Sequence, residues 1–473
     1  CLEKGSFTGV SMVRIERDTL GWVDVPDDVY YGPQTTRAIR NFRVSTLKLP
    51  PAFIRAQAEI KMACARANMT AGTLDFGIGE YICQAASEVR IGTINDQFVV
   101  DAYQSGAGTS QNMNANEVIA NRALELMGLT KGQYDVIHPN DHVNMSQSSN
   151  DTTHTAIHIA AMESVNCRLL PVMIQLYEGL IFKSKDFELI VKPGRTHLQD
   201  AVPVTLGQEF SGYARMVQLG IKCLFKSLDC LTELNMGGTA VGTGLNAPPG
   251  FGQVAVNEVN KITGLRFRLA ENPFEATQSA NAILELSGGL RSIAVSLIKI
   301  ANDLRLLSSG PRAGLGEIML PAVQPGSSIM PGKVNPVMPE MLDMACFQVV
   351  GNDTTIMMAA QAGQLELNVF TPVLAYNLLN SIEILSGAIG SFYRQCLKGI
   401  TANEEHCKAL AESSLALITA LSPIIGYEKA ADLAHLAYKE NKNIKQVVLE
   451  SGLLTEMEAE ELLDSQKMTG IHK

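Results

Sequence analysis

Four stretches of the chain are dense in hydroxyl and amide side chains: Gly106-Ala107-Gly108-Thr109-Ser110-Gln111-Asn112-Met113-Asn114, Ser146-Gln147-Ser148-Ser149-Asn150-Asp151, Gly194-Arg195-Thr196-His197-Leu198-Gln199-Asp200 and Gly326-Ser327-Ser328-Ile329-Met330-Pro331-Gly332-Lys333-Val334-Asn335-Pro336. Uncharged donors and acceptors in that density suit a small polar ligand. The fourth stretch holds two glycines and is bracketed by prolines, so it is a loop able to move, and its Lys333 and Asn335 make it a site candidate. It is not a nucleotide loop: five residues separate Gly326 from Gly332-Lys333, and Val334 stands where Ser or Thr would hold magnesium. The second stretch opens a helical pattern. Asn150 or Asp151 is expected to cap it, and the open N–H groups there favour a carboxylate or phosphate; plain capping is the alternative. His197 follows Thr196 in a polar turn outside any apolar stripe, with Arg195 and Asp200 nearby, which points to a functional imidazole. His154 and His158 lie four apart and could share a metal, but without a third ligand or an intervening acid they read as a structural pair. No metal ligand is assigned. Gly237 to Gly244 lacks the spacing of a dinucleotide loop and is expected to serve close backbone packing.

Long helices must position these stretches. Leu286, Leu290, Ile293, Leu297, Ile300, Leu304 and Leu307 step by four and three, marking one stripe of a helix about 33 Å long that Gly310 and Pro311 stop. The same alternation runs through Phe210, Tyr213, Val217, Leu224 and Leu231, and through Ile159, Met162, Leu169, Met173, Leu176 and Leu180. Narrow apolar seams bury against one another, so a bundle of long helices is expected, continued across subunits. The first 50 residues read as a mixed cap in which Val23 and Val25 belong to short strands, and pieces such as Glu404 to Ile418 and Tyr427 to Tyr438 form a small helical region. The expected domains are residues 1–149, mixed and mostly helical, 150–400, the long-helix bundle with the loop, and 401–473, small and helical.

Composition narrows the function classes. Of 473 residues, 46% are hydrophobic and 18% charged, an ordinary globular balance. Forty-eight acidic against 38 basic residues give a net charge of −10, so nucleic acid and anionic membranes are not favoured partners. Nine scattered cysteines without a CxxC pair argue against a disulfide framework or zinc module. No apolar run reaches the roughly 18 residues of a membrane span, and the opening segment lacks a signal-peptide core, so a cytoplasmic protein is expected.

Taken together, the polar segments resemble the fumarase/aspartase superfamily, and Gly326 to Asn335 reads as its signature loop. The resemblance runs from Arg14-Ile15-Glu16 to Gly399-Ile400-Thr401-Ala402-Asn403. It implies a mainly α, three-domain fold whose central helices build a 20-helix core in a homotetramer, with active sites shared among three subunits. It also implies cleavage or formation of a C–N or C–O bond to give fumarate. Tyr30-Tyr31-Gly32, Gly106 to Ser110, Arg312-Ala313-Gly314-Leu315, Pro336-Val337-Met338-Pro339-Glu340 and Ala362-Gly363-Gln364-Leu365 resemble aspartases. Ser148-Ser149-Asn150 and Glu366-Leu367-Asn368-Val369-Phe370 resemble class II fumarases, and His154 replaces a Pro common to both.

The resemblance implies an ammonia-lyase acting on L-aspartate, with fumarate hydration as the alternative and a crystallin-like structural protein as a remote third. Ser327 and His197 are then catalytic, Ser327 as general base. Thr109, Ser148, Ser149, Thr196 and His197 hold the carboxylate that accepts charge, and Asn150, with Thr109 and Thr196, contacts the amino group. Lys333 and Asn335 hold the other carboxylate, helped by Ser328, and Ser110 completes the binding set. No cofactor is required; activation by a divalent metal is left open. The turn His138-Pro139-Asn140-Asp141 resembles a secondary carboxylate site of fumarases.

Overall fold

The computed structural model describes residues 12–470; Cys1 and most of the opening segment lie outside them. Helices dominate, and among the described residues every named strand belongs to a two-stranded sheet. Contacts divide the chain into two units: residues 1–169, 223–291 and 348–384 form one, and 170–222, 292–347 and 385–473 the other. The division falls inside long helices, so it does not follow chain order.

Each seam read from the sequence is a buried stripe. All seven side chains from Leu286 to Leu307 are buried, as are the five from Phe210 to Leu231 and the six from Ile159 to Leu180. Their helices are Asn281–Leu307, Leu206–Cys230 and the 38-residue Ser149–Asp186, which widens into a π-helical turn at Val165–Leu169. Two further long helices, Val337–Gln361 and Thr371–Gln395, escape the periodicity reading. In Val337–Gln361 apolar residues lie on both faces: Leu342, Cys346, Val349 and Ile356 are buried, whereas Met344, Phe347, Met357 and Met358 are exposed. A helix that is apolar around most of its girth shows no stripe.

Ser149–Asp186 and Thr371–Gly399 are, by length and mean hydropathy of 1.2, long and apolar enough to cross a membrane. This corrects the expectation that no segment reaches that threshold. A mean over the window tolerates interspersed polar residues such as His158 and Asn377, which an unbroken apolar run does not. Half of the first window and 67% of the second are buried within the protein, where their apolar side chains serve as core.

In the first unit, Val13–Asp18 and Gly21–Pro26 form an antiparallel hairpin with Val23 and Val25 facing inward. A core built around Ile54, Ile82, Phe98, Val118, Ile119 and Leu124 packs the helices Pro51–Thr70, Phe76–Ile91 and Thr109–Leu126 together. In the second unit, Leu417, Leu421, Leu433, Ile444, Val447 and Leu463 gather the short terminal helices into a core of their own. All eight cysteines among the described residues are free.

Candidate active-site segments

In the first unit the helix Ser149–Ser164 begins with a capping box that corrects the expected cap. Ser148, not Asn150 or Asp151, is the N-cap: its Oγ accepts the Asn150 N–H at 3.2 Å, and the Asp151 carboxylate takes the Ser148 N–H at 2.9 Å. Asp151 sits at the third helical position, where an acid can reach back to the cap. Its other oxygen accepts the Thr239 N–H at 3.0 Å, and burial pushes its pKa up to about 7 against those two bonds. Ser149 and Asn150 keep their side chains on the outer side of the turn. Ser149 Oγ lies 3.1 Å from Thr109 Oγ1, and Asn150 Nδ2 donates to Ala240 O at 2.7 Å.

Thr109 is placed by the turn before it. Ala107 and Gly108 both take positive φ, at 57° and 68°, so the chain reverses sharply into the helix Thr109–Leu126. A Cβ at Gly108 would meet Thr153 Oγ1 at 2.9 Å, which is why the position suits glycine. Ser110 is tied back to Ser105 through its N–H at 3.0 Å and its hydroxyl at 2.9 Å. The structure thus brings together Thr109, Ser148, Ser149 and Asn150. It adds the glycine-rich segment 237–244, which both packs closely, as expected, and offers backbone groups to Asn150 and Asp151.

Beneath this turn lies a residue the sequence reading missed. Lys61 is fully buried and donates to Asn112 Oδ1 at 2.8 Å, Gln147 Oε1 at 2.9 Å and Asn144 Oδ1 at 3.0 Å. Burial lowers its pKa to about 8, with the charge of Asp151 acting in the opposite direction. The signal available was a charged side chain flanked by Ile60, Met62, Ala63 and Cys64.

In the second unit the strands Val191–Thr196 and Gln199–Thr205 pair antiparallel, with His197 and Leu198 at the tip in left-handed conformation, φ 56° and 59°. That two-residue turn turns the chain between Thr196 and Gln199. The hairpin is braced from within: Arg195 Nη2 lies 2.7 Å from Glu317 Oε1, and Lys192 Nζ lies 3.0 Å from both Glu317 and Glu209. With Glu317 fully buried, these ion pairs compensate its charge and fix the strand carrying Thr196.

The signature loop, also in the second unit, is folded on itself. Gly326 N–H donates to Lys333 O at 2.8 Å, and Asn335 Nδ2 bonds Gly326 O at 2.5 Å. A Cβ on Gly326 would fall 2.3 Å from Lys333 O, so no other residue allows this closure. Ser327 Oγ accepts two backbone N–H groups, Met330 at 2.8 Å and Ile329 at 3.2 Å. Ser328 and Lys333 are exposed, and Ser327 and Asn335 are half-buried. Among the described residues no hydrogen bond joins Thr196 or His197 to this loop, and no group of three or more His, Cys, Asp or Glu is placed to hold a metal.

Residues 21–351 match the Lyase family and residues 417–470 the Fumarase C C-terminus. An aspartate ammonia-lyase of Bacillus sp is 50% identical over 457 residues, 97% of each chain. The chain belongs to the fumarase/aspartase superfamily. It is a lyase of mainly helical fold. A class II fumarate hydratase of Thermosynechococcus vestitus is equally similar to this superfamily member, at 50% over 97% of this chain and 98% of its own. The solved class II fumarase from Schistosoma mansoni superposes with a TM-score of 0.95 at 39% identity, covering 98% of this chain and all of the other.

Proposed function

We propose that this lyase converts L-aspartate reversibly to fumarate and ammonia, with Ser327 as general base. The observation that carries the reading is the pair of backbone N–H groups on Ser327 Oγ. A serine hydroxyl is a poor base at neutral pH, and donors converging on its oxygen favour the alkoxide. Ser327 would take the Cβ proton, and the electron pair would move into the adjacent carboxylate to give an aci-carboxylate dianion. Collapse of that dianion forms the C=C bond and expels the amine. Stabilising the second negative charge is the main catalytic demand. Thr109, Ser148, Ser149, Thr196 and the catalytic His197 are assigned to the charge-accepting carboxylate, Asn150 to the amino group, and Lys333, Asn335 and Ser328 to the other carboxylate, with Ser110 completing the set. The Thr109–Ser149 hydroxyl pair supports the first group, and the exposed Lys333 ammonium, on a loop able to close, supports the last.

Hydration of fumarate to L-malate is the second reading, favoured by the serine at 149 and by the equal similarity to a class II fumarate hydratase. We place the enzyme in the cytoplasm as a homotetramer, with each active site drawn from three copies. Phe182, Leu219, Phe225, Val295, Phe347 and Met357, exposed on the long helices, supply apolar surface for that assembly. Purified enzyme is mixed with L-aspartate and, separately, L-malate, and fumarate is followed by its ultraviolet absorbance. Fumarate from aspartate alone supports the ammonia-lyase; fumarate from malate alone replaces it with the hydratase.

A further inference from the structure

His154 and His158 stand one helical turn apart on the helix Ser149–Ser164. His154 Nδ1 lies 3.0 Å from Asn150 O, and His158 Nδ1 lies 2.8 Å from Glu233 O. A carbonyl oxygen can only accept, so both Nδ1 atoms carry the proton, and in each neutral ring Nε2 holds the lone pair. His154 is 3% exposed, and its Nε2 is buried without a hydrogen-bond partner. The two rings line a cavity of about 60 Å³ together with Cys230, Glu233 and Glu275.

A buried acceptor left without a partner is costly, and a ligand accepting its lone pair would remove that cost. Two imidazoles whose Nδ1–H groups are anchored on backbone carbonyls have the tautomer of metal-binding histidines. Imidazole nitrogen suits zinc, nickel and copper, whereas magnesium and calcium take oxygen. The carboxylate of Glu275 adds negative charge beside a cation, whereas that of Glu233 is paired with Arg268 at 3.2 Å. Since among the described residues no third side chain is placed to coordinate, water would fill the other positions. The sequence offered only the pair and its spacing; the cavity and its acidic lining come from residues more than 70 positions away.

We propose that His154 and His158 form a two-point site for a divalent transition metal ion, separate from the residues assigned to the lyase reaction. The test uses the full chain stripped with a chelator. Zinc and nickel are titrated by calorimetry, and cobalt by its visible absorption, which reports imidazole coordination without any variant. The expected result is one equivalent per chain, with affinity weakened about tenfold or more by His154→Gln and by His158→Gln. It should be unaltered by His138→Gln and His142→Gln, a second pair four apart whose Nδ1 atoms instead accept backbone N–H groups. Magnesium should give no heat. Absence of saturable binding and of cobalt bands in the unaltered protein would overturn the proposal, as would loss of binding on substituting His138 or His142 alone.

Discussion

Lys61→Met separates the support of the Ser148–Asn150 turn from the general stability of the fold. Met keeps most of the side-chain volume and removes the ammonium. Three acceptors are affected, unequally. Asn144 Oδ1 keeps Asn112 Nδ2 at 3.0 Å and Asn116 Nδ2 at 3.1 Å, and Asn112 Oδ1 keeps a long contact with Thr152 at 3.5 Å. Gln147 Oε1 loses its donor. At about 1–3 kcal/mol per buried unsatisfied group, the loss is about 2–4 kcal/mol. Against this, lowering the lysine pKa from 10.5 to about 8 means the buried charge costs about 3 kcal/mol at pH 7. The two terms nearly cancel there, so the variant should be as stable as the parent at pH 7 to within ~1 kcal/mol.

The cancellation ends at higher pH. Between pH 8 and 10.5 the folded protein has released the Lys61 proton while the unfolded chain still holds it, so this group makes the parent more stable as pH rises. The variant lacks that gain, and the gap between the two should widen toward about 3 kcal/mol. Urea titrations at fixed protein concentration, at pH 7 and at pH 9.5, measure it. Meanwhile kcat/KM should drop about 10- to 100-fold at pH 7, because Gln147 and Asn144 no longer hold the turn in register. Parallel stability profiles for the two proteins, or a kcat/KM within twofold of the parent, would refute the reasoning.

Ser327→Ala should leave the melting temperature within a degree or two and reduce turnover by about a thousandfold or more, read by fumarate absorbance; a rate near that of the parent removes Ser327 as base. Gly326→Ala places a Cβ 2.3 Å from Lys333 O, so the loop can no longer close on itself. Activity should fall with little change in the main unfolding transition, and unaltered kinetics would show that closure is dispensable. Lys333→Ala should raise KM far more than it lowers kcat, since the ammonium is assigned to the carboxylate that does not take up the developing charge; an unchanged KM excludes that role.

The legible part of this chain is the part governed by local rules. An apolar residue every three or four positions can be buried only along one stripe of a helix, so Leu286 to Leu307 predicted their own burial. Val337–Gln361 shows where the rule stops: its apolar residues face both inward and outward, and sequence cannot assign them. Gly326 was legible as part of a loop, yet the clash that makes it glycine involves Lys333 O, a relation set by the closed fold of that loop.

Residue types and spacing by themselves determined the long-helix architecture, the four polar segments and the superfamily, because each is written in contiguous runs. Tertiary structure alone decided which groups face one another. It put the Thr109 and Ser149 hydroxyls 3.1 Å apart across 40 residues of chain, set Lys61 beneath Gln147, and surrounded His154 and His158 with Cys230, Glu233 and Glu275. Hydrogen bonds and desolvation act over a few ångströms of space whatever the separation along the chain, so the protonation and contacts of these groups are set only once the helices have packed.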